Sequence, residues 1–295
     1  MSIGNSLYCS GVFIEPLIHP KPGGVTRVIS HPDKSIYNFM LNSLVFCDSI
    51  LHISWDKSDD CMIGRTFENI IFLLRKYRLE INTSMGSWVL HTPIILSAKI
   101  LGESRRPNIE AIVNSSIELI KSASSCDAKG YFELLRYYSP SHLGKLRKGG
   151  IDAKEMEGID LPSFYNIVKR AGQGDIVHKE LIQGYPVSLE ASKSISLLVK
   201  KGLNFEESVY QTVLRLMSKY LDTLIARKYG IRIALRVLKS AKLVLENKLR
   251  YQEMESFMRS NNLNPGSILD IVSMGITFYF IENLESDFDE RILTG

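Results

Sequence analysis

The chain has 295 residues, of which 45% are hydrophobic, so it can bury one large core or two modest ones, and this composition excludes a disordered protein. Its 36 basic and 32 acidic residues leave a net charge of +4. This charge is well below that of a dedicated nucleic-acid binder and suits an anionic small molecule better.

Cysteine usage and apolar runs both indicate a cytoplasmic protein. The cysteines lie far apart, form no CxxC pair and have no histidine at ligand spacing, which indicates reduced thiols rather than a metal site; they are Cys9, Cys47, Cys61 and Cys126. The N-terminus lacks the pattern of a secretory signal. The apolar runs Met85–Leu101 and 268–281 are interrupted or too short to span a membrane, so we expect buried core helices.

The dominant hydrophobic period is helical. Apolar residues fall on one face of 36–51 and again on one face of 231–245, and strand alternation is scarce. Asn204 with Glu207 resembles a capping box, and Asn264 before a proline predicts another helix start. We therefore predict an all-α fold, a single compact domain over 1–295 with about a dozen helices.

The first candidate site segment is 19–27. Two prolines stiffen it, Lys21 and Arg27 supply positive charge, and Gly23 and Gly24 allow the backbone to approach a ligand. It predicts a phosphate-binding loop, although an ordinary inter-helix loop is the alternative. Asp33 follows, either as a helix cap or as a carboxylate that faces the same ligand.

The second candidate is Asn82-Thr83-Ser84-Met85-Gly86, directly before an apolar helix. A helix N-terminus favours an anion, and the glycine permits close approach. A simple N-cap would explain one of these polar residues but not all of them. The charged, glycine-rich stretch 139–162 is the longest break between helices, and we interpret it as an active-site loop rather than a linker.

Two further segments carry carboxylates. Asp222 and Arg227 lie in an otherwise apolar stretch, where Asp222 is either a cap, a magnesium ligand or a proton acceptor. Asp270 follows the helix start at 264–267 and lies one turn inside an apolar helix. A carboxylate there is costly unless it is paired, binds a metal or lines a cavity.

Taken in order, five segments resemble the triphosphoribosyl-dephospho-CoA synthase family, in its archaeal-type branch. They are KPGGVTR (21–27), NTSMG (82–86), SPSHLGK (139–145), LDTLIARKYG (221–230) and NPGSILDIV (264–272). The resemblance implies a transferase that joins the 5-triphosphoribosyl unit of ATP to the ribose 2'-hydroxyl of dephospho-CoA and expels adenine. It also implies ATP and a small-molecule acceptor as partners, with no nucleic acid and no membrane, and it leaves a homodimer open.

The resemblance also suggests residue roles and a requirement for Mg²⁺. Metal ligands would be Asp222 and Asp270, and catalytic carboxylates would be Asp33, Glu68 and Asp222. The residues that would bind nucleotide and phosphate are Lys21, Gly23, Gly24, Arg27, Asn82, Thr83, Gly86, Lys145, Arg227, Lys228, Asn264, Gly266 and Ser267.

Some positions depart from the family pattern and leave the acceptor open. Gly24 stands where the branch usually has Asn. The branch has small polar residues where this chain has Ser267, Ile268 and Leu269, and bacterial members have a basic residue where it has Ser84 and Met85. The alternatives are transfer to another acceptor such as a pterin cofactor precursor, a nucleotide hydrolase, or a nucleotide-binding protein without catalysis.

Overall fold

A computed structural model describes residues 6–53, 60–102, 108–138 and 161–283. Within these ranges the regular structure is helical, apart from an isolated bridge between His31 and Lys34, which confirms the all-α prediction. A 3-10 turn spans Glu15–Leu17. The α-helices described are α1 (Ser10–Ile14), α2 (Ile36–Leu51), α3 (Met62–Tyr77), α4 (Met85–Leu101), α5 (Ile109–Ser122), α6 (Ser125–Tyr138), α7 (Phe164–Ala171), α8 (Ile176–Gln183), α9 (Pro186–Lys200), α10 (Phe205–Lys219), α11 (Thr223–Tyr229), α12 (Ile231–Leu245), α13 (Tyr251–Ser260) and α14 (Gly266–Asn283).

The described helices group into two compact units. Unit 1 is formed by the described parts of Met1–Cys9 and Met40–Pro186, and unit 2 by those of Ser10–Phe39 and Val187–Gly295. Unit 1 therefore contains α3 to α8 and most of α2, whereas unit 2 contains α1 and α10 to α14 with nearly all of α9. The single-domain assignment stays a prediction.

The core of unit 1 is built around α4. This helix is buried continuously from Ser87 to Ala98, as the sequence predicted for its apolar run. The indole of Trp88 is fully buried and stacks on Phe46 with ring centroids 5.7 Å apart. Burial of such large aromatic surfaces is the main favourable contribution to the packing of this unit.

Helices α3 and α6 of unit 1 pack closely because glycines face each other. A Cβ at Gly130 would lie 2.3 Å from the carbonyl oxygen of Gly64, so neither position leaves room for a side chain. At the same end, Asp127 Oδ1 accepts the N–H of Gly64 at 2.8 Å, and Oδ2 accepts the N–H of Ser124 at 2.8 Å. This buried carboxylate therefore serves the beginnings of both helices.

The structure corrects the expectation of reduced thiols, because the four cysteines form two disulfides within unit 1. Cys9 pairs with Cys47, and Cys61 pairs with Cys126. The paired residues are 38 and 65 positions apart in the sequence. The spacing of the cysteines in the sequence does not indicate these pairs, since helix packing brings the paired residues together.

The core of unit 2 is built around α14. This helix is buried from Ser267 to Ile281 except at Asp270, which confirms the predicted core helix. Helix α1 crosses it at Gly11, whose N–H donates to Thr277 Oγ1 at 2.9 Å. No helix in the described ranges has the length and apolar character needed to cross a membrane.

The predicted cap of α10 is confirmed. Asn204 Oδ1 accepts the N–H of Glu207 at 2.8 Å, as a cap three residues upstream should. Sequence reasoning could identify Glu207 as the partner of Asn204 because both residues belong to the same helical turn.

The contact between α1 and α14 predicts a stability effect. A Cβ at Gly11 would lie 1.7 Å from the carbonyl oxygen of Ser273, so Gly11→Ala must separate the two helices. We expect the free energy of unfolding to fall by about 2 kcal/mol or more. Gly174→Ala is the control, because a Cβ there meets nothing within 4 Å. Equal denaturation midpoints for both variants would contradict the close crossing.

The disulfide between Cys61 and Cys126 gives a second prediction. It joins the beginnings of α3 and α6, so replacing both cysteines by alanine should lower the free energy of unfolding by about 2–4 kcal/mol under oxidising conditions. Added reductant should narrow the difference between wild type and variant. Complete alkylation of all cysteines in the folded, unreduced protein, seen by mass spectrometry, would refute the pairing.

Candidate active site

Asp222 joins the beginnings of two helices in unit 2. Its Oδ1 accepts the N–H of Ile225 in α11 at 2.8 Å, and its Oδ2 accepts the N–H of Ile268 in α14 at 3.0 Å. Helix N-termini carry unpaired N–H groups and a partial positive charge, which a carboxylate satisfies well. Asp222 therefore acts as a helix cap, which is one of the alternatives that the sequence left open.

Ser267 completes this junction. Its Oγ accepts the backbone N–H of Leu224 at 3.0 Å and the hydroxyl of Thr223 at 3.0 Å. A Cβ at Gly266 would lie 2.7 Å from the side chain of Leu224, so the glycine permits the close approach of the two helix starts. Two of the predicted segments, 221–230 and 264–272, thus meet directly.

Burial raises the pKa of Asp222 to about 6, and its hydrogen bonds from backbone N–H groups oppose that shift. The side chain is only 4% exposed. The carboxylate therefore changes protonation close to neutral pH, where an exposed aspartate would be fully ionised.

The glycine loop 21–27 packs against the same end of α14. Gly23 has a φ of +67°, and a Cβ there would lie 2.2 Å from the carbonyl oxygen of Leu263, so the position requires glycine. A Cβ at Gly24 would lie 2.8 Å from the side chain of Leu269. A third predicted segment therefore reaches the beginning of α14.

Helix α13 holds this loop through two side chains one turn apart. Glu255 accepts the N–H of Gly23 at 2.8 Å, and Arg259 donates to the carbonyl oxygen of Gly24 at 2.6 Å. Arg259 also donates to Glu255 at 2.7 Å. These two residues were missed by sequence reasoning, because an i, i+4 ion pair is common on solvated helices.

The two cations of the loop occupy different environments. Lys21 is fully buried against Glu15, whose carboxylate and carbonyl oxygens both accept from its ammonium group, the carbonyl at 2.7 Å. Burial lowers the pKa of Lys21, and the negative charge of Glu15 opposes this. Arg27 is exposed and pairs with Glu206. The phosphate contacts assigned to both cations stay predictions.

A charge cluster in unit 2 consists of Lys34 and the charged side chains that act on it, Asp33, Lys228 and Asp270. Lys34 is largely withdrawn from solvent, and burial lowers its pKa; the charges of Asp33 and Asp270 act against that shift, while Lys228 adds to it. Asp33, Lys228 and Asp270 were each predicted site residues from a different part of the sequence. Lys34 was missed, because a lysine beside a predicted cap gave no pattern of its own.

A cavity of about 380 Å³ lies in unit 2 beside the glycine loop. This volume is within the range of small-molecule sites. Its lining residues are Gly23, Ser30, His31, Pro32, Met258, Arg259, Asn262 and Leu263.

The segment 82–86 lies in unit 1, where α4 begins after Ser84. Thr83 Oγ1 accepts from the buried amide of Asn42 at 2.9 Å, and the same amide donates to the carbonyl oxygen of Ile81 at 2.7 Å. Ser84 makes no side-chain cap. The anion-binding roles of Asn82, Thr83 and Gly86 stay predictions.

A family model for ATP:dephospho-CoA triphosphoribosyl transferase matches residues 5–289. The chain belongs to this family. It is therefore an enzyme of the triphosphoribosyl-dephospho-CoA synthase type, as the resemblance of its five segments predicted.

A solved structure agrees in fold. The crystal structure of a candidate triphosphoribosyl-dephospho-CoA synthase from Archaeoglobus fulgidus matches with a TM-score of 0.62 and 19% identity, and the match covers 83% of this chain and 98% of that one. A comparison with curated proteins returns no match.

The remaining predicted site residues occupy several different positions. Glu68 is exposed on α3 in unit 1, and Lys145 lies outside the described residues together with the rest of segment 139–145. Arg227 is half-buried in α11, and Asn264 is half-buried just before α14. Their roles stay predictions.

The raised pKa of Asp222 predicts a pH-dependent stability. Because the folded pKa of about 6 exceeds the ordinary 3.8, the folded state binds the proton more tightly, and this contribution is lost as the pH rises through 6. Relative to Asp222→Asn, wild type should lose about 3 kcal/mol of unfolding free energy between about pH 4 and about pH 7.

Asp33→Asn tests a carboxylate whose effect on the free energy of unfolding should change with pH in the opposite direction. Burial raises the pKa of Asp33, but Lys34 and the hydrogen bond from His31 outweigh it, so the net shift is downward. The contribution of Asp33 to the free energy of unfolding should therefore be lost as the pH falls below the ordinary range of carboxyl pKa values. Parallel pH profiles for both variants, measured by thermal unfolding, would show that the proposed environments are wrong.

Proposed function

We propose that this enzyme transfers the 5-triphosphoribosyl group of ATP to the 2'-hydroxyl of dephospho-CoA, in a Mg²⁺-dependent reaction that releases adenine. Membership of the family, over residues 5–289, supports the donor and acceptor. The observation that carries the proposal is that three segments characteristic of the family meet at the start of α14, in the same unit as the charge cluster around Lys34.

The cluster has the composition that a metal-bound triphosphate needs. Lys34 and Lys228 supply positive charge, and Asp33 and Asp270 supply carboxylates beside it. A triphosphate bound by cations alone would be repelled by these carboxylates. A divalent ion between the triphosphate and a carboxylate would attract both. Mixed charge therefore favours a nucleotide with its metal over a simple anion.

The Asp270 carboxylate is a ligand of the type that Mg²⁺ prefers. Magnesium is usually held by one or two carboxylates together with substrate phosphates and water. Among the residues that the structure describes, no group of three or more His, Cys, Asp or Glu side chains is arranged for a metal. Asp270 would share the ion with the triphosphate and water, and the ion would neutralise the phosphate charge there.

The assignment differs from the predicted one at Asp222. Both oxygens of Asp222 accept backbone N–H groups, so we assign the metal to Asp270 and not to Asp222. Asp222 would instead fix the start of α14, and so the position of Asp270 one turn later. The glycine loop would bring further backbone N–H groups to the phosphates.

Incubation of the enzyme with ATP, Mg²⁺ and dephospho-CoA tests the proposal. We expect adenine by chromatography and, by mass spectrometry, a product with the mass of dephospho-CoA plus the triphosphoribosyl group, in equal amounts. Adenine without any acceptor would instead identify a nucleotide hydrolase. Adenine formed only with another hydroxyl compound, such as a pterin precursor, would replace the acceptor.

Asp270→Asn should impair this reaction. Loss of a metal ligand is expected to lower kcat/KM for ATP by about 10-fold to 100-fold and to raise the Mg²⁺ concentration needed for half-maximal rate. Asp48→Asn, an exposed aspartate on α2 in unit 1, is the matched control and should leave both unchanged. Equal Mg²⁺ dependence in wild type and Asp270→Asn would remove Asp270 from the metal site.

A further inference from the structure

His31 is held in a defined orientation at the cavity. Its backbone N–H donates to the carbonyl oxygen of Lys34 at 2.9 Å, and the N–H of Lys34 donates back to its carbonyl oxygen at 3.2 Å. Its ring Nδ1 lies 2.7 Å from Asp33 Oδ1. The backbone and the ring are thus both restrained, although the residue lies in a loop.

The contact with Asp33 determines which ring nitrogen can accept a proton. A carboxylate is an acceptor, so the hydrogen of the neutral imidazole lies on Nδ1. The lone pair is then on Nε2. A histidine oriented by a carboxylate in this way is the usual arrangement of a general base.

The cavity gives this ring access to a ligand. The His31 side chain is 13% exposed and lines the cavity together with Gly23 of the glycine loop. Charged residues beside His31 include Asp33, which contacts its ring, Lys34, whose backbone pairs with that of His31, and Arg259 of α13, which lines the same cavity. A molecule in this cavity would lie beside the loop that precedes the charge cluster.

We propose that His31 is the catalytic base of the transfer, and that Asp33 is its positioning residue. The inference rests on the proposed function. The acceptor hydroxyl oxygen forms a bond to C1' of the ribose as the bond from C1' to N9 of adenine breaks. His31 Nε2 takes the hydroxyl proton, and adenine leaves with the electron pair of the broken bond and is protonated from solvent.

Substitution of His31 tests the inference. His31→Gln should lower kcat by about 100-fold or more and should remove the fall in kcat at low pH that protonation of a base produces. Added imidazole should restore part of the activity of His31→Ala. Asp33→Asn should lower kcat more than it raises KM for ATP, since orientation of the ring is then lost.

His52→Gln is the matched control. His52 also bonds an aspartate through Nδ1, 2.9 Å from Asp48, but is exposed at the end of α2 in unit 1. It should leave kcat and its pH profile unchanged. Thermal unfolding of every variant verifies that it is folded.

Two further outcomes would overturn the inference about His31. If His31→Gln keeps kcat within about threefold of wild type, or loses activity with an unchanged pH profile and no rescue by imidazole, His31 is not the base and the proposed function still stands. Absence of adenine from wild type with every acceptor tested overturns the proposed function and this inference together.

Discussion

The structure of unit 2 depends on a buried carboxylate that lies between two helix N-termini. Asp222 accepts one N–H from α11 and one from α14, and is itself 4% exposed. Without an acceptor, these N–H groups would be buried unpaired, each at a cost of about 1–3 kcal/mol. Two helices can begin side by side because one side chain satisfies both.

Unit 1 uses the same solution with different residues. Asp127 accepts N–H groups at the beginning of α3 and just before α6, and burial likewise raises its pKa. A disulfide between Cys61 and Cys126 joins the same helix ends. In both units a short polar side chain thus sets where neighbouring helices begin, and small residues set how closely they pack.

Three segments that resemble those of the family meet at the start of α14. The glycine loop meets α14 through Gly23 and Gly24, and α11 meets it through Gly266, so three segments separated by long stretches of sequence share one region of unit 2. In the same unit, the charges of Asp33, Lys228 and Asp270 act on Lys34. Neighbouring opposite charges that are partly buried interact strongly, so the packing that orders the helices also places interacting charges around Lys34.

The amino-acid sequence by itself determined the helical fold, the two core helices and the cap at Asn204, because each depends on residues within a few turns of one another. The order of five polar segments also sufficed to recognise the family. Only the tertiary structure decided that Asp222 bonds Ile268, that Cys61 pairs with Cys126, and that Lys34 joins the predicted carboxylates. The contacts of Asp222 with Ile268, of Cys61 with Cys126 and of Lys34 with Asp270 link residues 46, 65 and 236 positions apart, and helix periodicity contains no information on which distant turns packing will bring together.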